Sequence, residues 1–109
     1  MTESEYTRLA DETLRKLEYA IEKAAEHADF DYELSAGGVM EVEFADGSKI
    51  IINKQSASQE IWVAAKSGGF HFRWDGATWR DTRSNDELFA ALSRYASSQA
   101  GEPVLFNQP

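Results

Sequence analysis

The N-terminal segment repeats its apolar residues at helical spacing: Tyr6, Leu9, Ala10, Leu14, Leu17, Ile21, Ala24 and Ala28 fall on one broad face. The spacing predicts an amphipathic helix over residues 4–28. The period then drops to two, with Met40, Val42 and Phe44 alternating with Val39, Glu41 and Glu43, as in a strand buried on one side. Asp46-Gly47 is a hairpin turn signal, and the β-branched run Ile50-Ile51-Ile52 within residues 49–54 supplies the partner strand. After a loop at 55–59, a third strand is expected over 60–65 and a turn at Ser67-Gly68-Gly69. A fourth strand over 70–75 places Phe70, Phe72 and Trp74 opposite His71 and Arg73. A short strand is expected around Trp79. Ser84-Asn85-Asp86-Glu87 reads as a capping box ahead of Leu88, Phe89, Leu92, Tyr95, Ala96 and Gln99 at helical spacing, with Gly101 and Pro103 ending that helix.

Helices segregated to the two ends of an antiparallel meander imply an α+β fold. The expectation is a two-layer α-β sandwich in which the N- and C-terminal helices pack on one face of a sheet of about five or six strands. The layout is one domain over 1–109: helix about 4–28, sheet about 31–81, helix about 85–100 and a tail, 101–109. Val104, Leu105 and Phe106 of that tail are expected between the helices. The second sheet face then meets solvent or a partner.

Composition narrows the function. With 109 residues the chain has room for one core. It has no cysteine, which removes disulfides, thiolate catalysis and any directly thiolate-held iron–sulfur cluster. No apolar run approaches the roughly 20 residues of a membrane-spanning helix, and the N-terminal residues resemble neither a secretory signal nor a mitochondrial presequence, so a cytoplasmic location is expected. The net charge of -8 disfavours nucleic acid and anionic membranes. That charge is uneven: residues 1–46 hold 13 acids against 4 bases, and the remainder 6 against 7. The acidic end suits cations or a basic partner.

On the first helix, Asp11, Glu18, Glu22 and Glu26 lie within a sector of about 80°, taking 100° per residue. Like charges at i,i+4 cost a helix about 0.2–0.5 kcal/mol per pair, so the stripe is held against local repulsion, with Arg15 as a partial offset. Asp29, Asp31 and Glu33 alternate along an extended segment, and Glu41 and Glu43 share the outer face of the next strand. The candidate metal ligands are therefore Glu18, Glu22, Glu26, Asp29, Asp31, Glu33, Glu41 and Glu43. Carboxylates are hard donors for iron, magnesium, calcium or manganese, with little selectivity when His and Cys are lacking. The same stripe also fits a plain solvated helix face. Asp29 to Glu33 is not an EF-hand opening, because Leu34 stands where glycine is needed. No nucleophile with its base and no phosphate-binding loop is present in the sequence.

Trp62 is the remaining anomaly. Ile61 and Val63 should face the helices, which turns Trp62 outward among Asn53, Gln55, Glu60, His71 and Arg73 as a candidate docking surface. A strand phase shifted by one residue would place it in the core instead.

Ile52-Asn53-Lys54-Gln55 followed by Ile61-Trp62 resembles the central signature of the frataxin family. So do Ser4-Glu5-Tyr6 with Arg8-Leu9-Ala10-Asp11, Asp46-Gly47-Ser48-Lys49, Gly68-Gly69-Phe70-His71-Phe72, Trp79 and Gln99-Ala100-Gly101-Glu102, covering nearly the whole chain in order. The resemblance implies Fe2+ and Fe3+ bound on an acidic ridge of the first helix and strand. It also implies a role in iron–sulfur cluster assembly, with the cysteine desulfurase and its scaffold protein as partners, rather than a conventional enzyme. The family's ridge positions map onto Glu18, Glu22, Asp29 and Asp31. Tyr19, Lys23, Ala25 and His27 stand where bacterial relatives commonly carry carboxylates or other polar groups, so the ridge is thinner. Glu60 replaces the glutamine usual before the Ile-Trp pair. The alternatives are iron oxidation or storage at the ridge, and an interaction module with incidental metal binding. The expected state is a monomer, with iron-dependent oligomers as a further state.

Overall fold

A reciprocal cap fixes the start of the chain. The Thr2 hydroxyl accepts the Glu5 N–H at 3.1 Å, and the Glu5 carboxylate accepts the Thr2 N–H at 3.2 Å. From this cap runs α1 (Glu3–Ala25) in the computed structural model, which describes residues 1–35 and 37–108. Its apolar stripe buries Tyr6, Ala10, Leu14, Leu17, Ala20 and Ile21. Each large member contributes about 1.5–3 kcal/mol by leaving water.

The predicted helix overruns by three residues, because Ala28 keeps the helical period. The chain instead closes a turn through the N–H groups of His27 and Ala28, both donated to Ala24 O. That turn lets Phe30 enter the sheet as the first residue of β1 (Phe30–Ser35). β2 (Val39–Phe44), β3 (Lys49–Gln55), β4 (Glu60–Ala65), β5 (Gly68–Trp74) and β6 (Trp79–Asp81) follow in a continuous antiparallel meander, so the sheet has six strands in sequence order. Gly68 and Gly69 belong to β5, and the reversal before it is made by Lys66 and Ser67.

The last helix, α2 (Leu88–Ala100), ends at Gly101 in the left-handed conformation, as expected. Its start differs from the predicted capping box. The Asp81 carboxylate accepts the N–H groups of Arg83 and Ser84, Asn85 turns to φ 66°, and Glu87 becomes the cap, accepting from Phe89 and Ala90 N–H. Gln99 ties α2 to two hairpins, accepting the Lys66 N–H and donating to Lys49 O and Ser48 Oγ.

Both helices cover one face of the sheet. Phe30, Met40, Val42, Phe44, Ile50, Ile52, Ile61, Val63 and Phe72 meet the α1 stripe and Leu88, Phe89, Leu92 and Ala96 in one core cluster. Polar ties run through it: Trp79 Nε1 donates to Thr13 Oγ1 at 2.8 Å and Tyr6 OH to Glu60 O at 2.7 Å. The tail adds Val104 and Phe106, whose N–H groups donate to Ser97 and Ser93 Oγ at 2.9 Å. Leu105 does not join them, since alternation in an extended tail turns it outward, where it is 64% exposed.

Candidate functional site

The uncovered sheet face is ordered by strand register into four rows. Asp31, Glu43 and Lys49 form the first; Glu33, Glu41, Ile51, Ala64 and Gly69 the second. Val39, Asn53, Trp62 and His71 form the third; Gln55, Glu60, Arg73 and Arg80 the fourth. One end of the face, on β1 and β2, is therefore acidic, and the other, on β5 and β6, carries His71, Arg73 and Arg80.

At the acidic end Asp31 lies directly opposite Glu43, and Glu33 opposite Glu41. Like charges directly opposite destabilise a strand pair, so four carboxylates are gathered against the local preference of the sheet. One cation offsets them in part: Lys49 Nζ is 3.5 Å from Glu41 Oε2. Asp31, Glu33 and Glu43 are exposed and have no ion-pair partner among the described residues.

The remaining carboxylates lie on α1 and in its connection to β1. Asp11 is engaged by Lys54 Nζ at 2.5 Å, while Glu18 and Glu22 have no ion-pair partner among the described residues. Glu26 lies at the helix C-cap, 4.0 Å from Lys23, and Asp29 is exposed in the connection to β1. Tyr19, Lys23 and His27 line a groove against Pro103, Val104 and Leu105 of the tail. Among the described residues no three His, Cys, Asp or Glu side chains gather closely enough to hold one ion.

Trp62 does point outward, since its neighbours Ile61 and Val63 are 0% and 2% exposed in the core. The core alternative is set aside, but the indole is half-buried rather than freely exposed. His71 stacks on it with ring centroids 4.4 Å apart and planes 7° from parallel. The surprise is Glu60. Its side chain is only 6% exposed, on a sheet face with no helix over it, and it accepts hydrogen bonds from two neighbours, with a third close by. Trp62 Nε1 donates to Oε1 at 2.8 Å, Arg73 Nε donates to Oε2 at 2.7 Å, and His71 Nδ1 stands 3.6 Å from Oε1. Burial pushes the Glu60 carboxyl up, but hydrogen bonds from Trp62 and Arg73 outweigh it and hold the group below the usual glutamate range. The i,i+2 spacing of Glu60 and Trp62 places both on one face in the sequence, but nothing in that spacing shows the carboxylate closing over its neighbours.

Two helices over one side of a six-stranded meander, with an acidic strand pair and a tryptophan patch sharing the other side, match a known class. A family model described as a frataxin-like domain matches residues 1–102, and the chain belongs to that family. It is 57% identical over 105 residues to the iron-sulfur cluster assembly protein CyaY of Dechloromonas aromatica (strain RCB), covering 96% of this chain and 98% of that one. It is 60% identical over 101 residues to the CyaY of Cupriavidus pinatubonensis, covering 92% and 91%. Among solved structures, the frataxin of Psychromonas ingrahamii superimposes with a TM-score of 0.86 at 34% identity, covering 99% of this chain and 100% of that one. Trimeric frataxin from Saccharomyces cerevisiae, complexed with ferrous iron, gives 0.75 at 29% identity over 85% and 86%. No helix of the chain is long and apolar enough to cross a membrane, among the described residues.

Proposed function

We propose that this chain is an iron-binding adaptor of iron–sulfur cluster assembly. In this reading it takes Fe2+ or Fe3+ loosely as cargo on Asp31, Glu33, Glu41 and Glu43 and on the Glu18, Glu22, Glu26 and Asp29 group. It modulates a cytoplasmic cysteine desulfurase–scaffold complex by docking through Asn53, Gln55, Trp62, His71 and Arg73. The observation that carries the reading is that opposed carboxylate pairs and the Trp62 patch share one uncovered sheet face. A basic partner surface and an iron ion address the same unpaired charges, so iron occupancy alters how that face docks. The test is the affinity of the chain for the purified desulfurase–scaffold assembly, with and without ferrous iron under anaerobic conditions. Affinity that changes with iron in the parent, and does so less in Asp31→Asn/Glu33→Gln, supports the proposal.

The lack of three converging donors among the described residues favours a second reading, an interaction module with incidental metal binding. Full affinity without metal, unmoved by iron, selects that reading.

A further inference from the structure

We infer that Glu60 is the positioning residue of the docking face, a carboxylate clamp that presets Trp62 and Arg73 for a partner segment carrying an acidic group beside an apolar one. The inference rests on the docking role proposed for Trp62 and specifies what that role requires of the partner.

The geometry sets the chemistry. An indole has one hydrogen-bond donor, and that of Trp62 is spent inside the chain on Glu60 Oε1. His71 covers one ring face. What remains for a partner is the solvent-open part of the half-buried ring, an apolar surface that asks for no acceptor. Arg73 is the complement. Its Nε is committed to Glu60 Oε2, yet its side chain is 65% exposed, and its terminal amino groups have no partner among the described residues. A guanidinium held at Nε and open at its ends is suited to a carboxylate or a backbone carbonyl. Glu60 thus fixes the rotamers of two interface side chains before the encounter, which lowers the ordering cost of association. Its own charge is kept by the bonds that outweigh its burial.

The experiment uses the 15N-labelled full chain as parent, Glu60→Gln, Glu60→Ala, Trp62→Ala and the Glu60→Ala/Trp62→Ala double variant. Two quantities are measured: solvent exchange of the Trp62 indole N–H, with the Trp79 indole bonded to Thr13 as internal reference, and affinity for the purified cysteine desulfurase–scaffold assembly. Glu60→Ala is expected to speed Trp62 indole exchange, leave Trp79 unchanged and weaken association about 10-fold or more. Glu60→Gln keeps an amide oxygen for the indole but loses the ion pair with Arg73, and is expected to weaken association about 3-fold with indole exchange near the parent's. In the double variant, removal of Glu60 adds little to the loss from Trp62→Ala, as expected of a residue that acts largely through another. If Glu60→Ala fails to fold, the near-isosteric Glu60→Gln decides by its affinity. Faster indole exchange with parental affinity, while Trp62→Ala loses affinity, overturns the clamp and leaves the docking face standing. Parental affinity in Trp62→Ala overturns both.

Discussion

Asp31→Asn combined with Glu33→Gln removes one member of each opposed carboxylate pair on β1 and β2 without changing side-chain size. Directly opposed like charges cost a sheet about 0.2–1 kcal/mol per pair. The Glu33–Glu41 repulsion is the weaker of the two, because Lys49 already lies beside Glu41. The double variant should therefore gain about 0.5–1.5 kcal/mol, most of it from the Asp31–Glu43 pair. In a domain of this size about 1 kcal/mol moves the melting temperature by about 4–8 °C. Thermal unfolding followed by circular dichroism at low and high salt reads both the size and the origin of the effect. Screening relieves repulsion between exposed charges, so the parent should gain more from salt than the variant. Ferrous iron, added without oxygen, should raise the parent's melting temperature and raise the variant's less, since binding to the folded state adds stability. A variant that melts at or below the parent's temperature at low salt, with an equal response to iron, would refute the reasoning.

Phe106→Ala, at a site 3% exposed, should cost about 3–5 kcal/mol, whereas Leu105→Ala at its exposed neighbour should stay within about 0.5 kcal/mol. Equal shifts in the urea midpoint would show that the tail does not alternate as described. Trp62→Ala should remain folded and lose about 2 kcal/mol or more of docking free energy at both low and high salt, because an apolar contact is not screened. Because the folded Glu60 carboxyl titrates below its unfolded value, its stabilising effect is full above about pH 4.3 and is lost as pH falls through the folded value. Glu60→Gln should accordingly flatten the fall of stability below that pH, and parallel curves for parent and variant would contradict the assignment.

The elements were legible where one residue pattern dominated. Alternation in Met40-Val42-Phe44 and in Ile61-Val63 placed the inner sheet face, and the outward position of Trp62 followed from it. Boundaries failed where tertiary contacts competed with pattern. Ala28 extends the helical period, yet the chain leaves α1 at Ala25 to bring Phe30 against Phe44 and Phe106. Ser84 and Glu87 have capping-box spacing, but Asp81 captures the turn at Arg83 and Ser84, and Glu87, not a favoured N-cap residue, caps the helix alone. The candidate site was legible as two sets of residue types rather than as an arrangement. Which carboxylates oppose each other depends on strand register. The burial of Glu60 depends on side chains from two strands closing over it, and no local spacing encodes either.

The central claim, an iron-responsive adaptor of a desulfurase–scaffold complex, is tested most directly by cysteine desulfurase turnover. Sulfide release is measured in the presence of the scaffold protein, with and without this chain, across a series of ferrous iron concentrations under anaerobic conditions. The account predicts that adding the chain changes the rate by an amount that depends on iron, and that Asp31→Asn/Glu33→Gln reduces the iron dependence while Trp62→Ala reduces the whole effect. A rate indifferent to the chain at every iron concentration would contradict it.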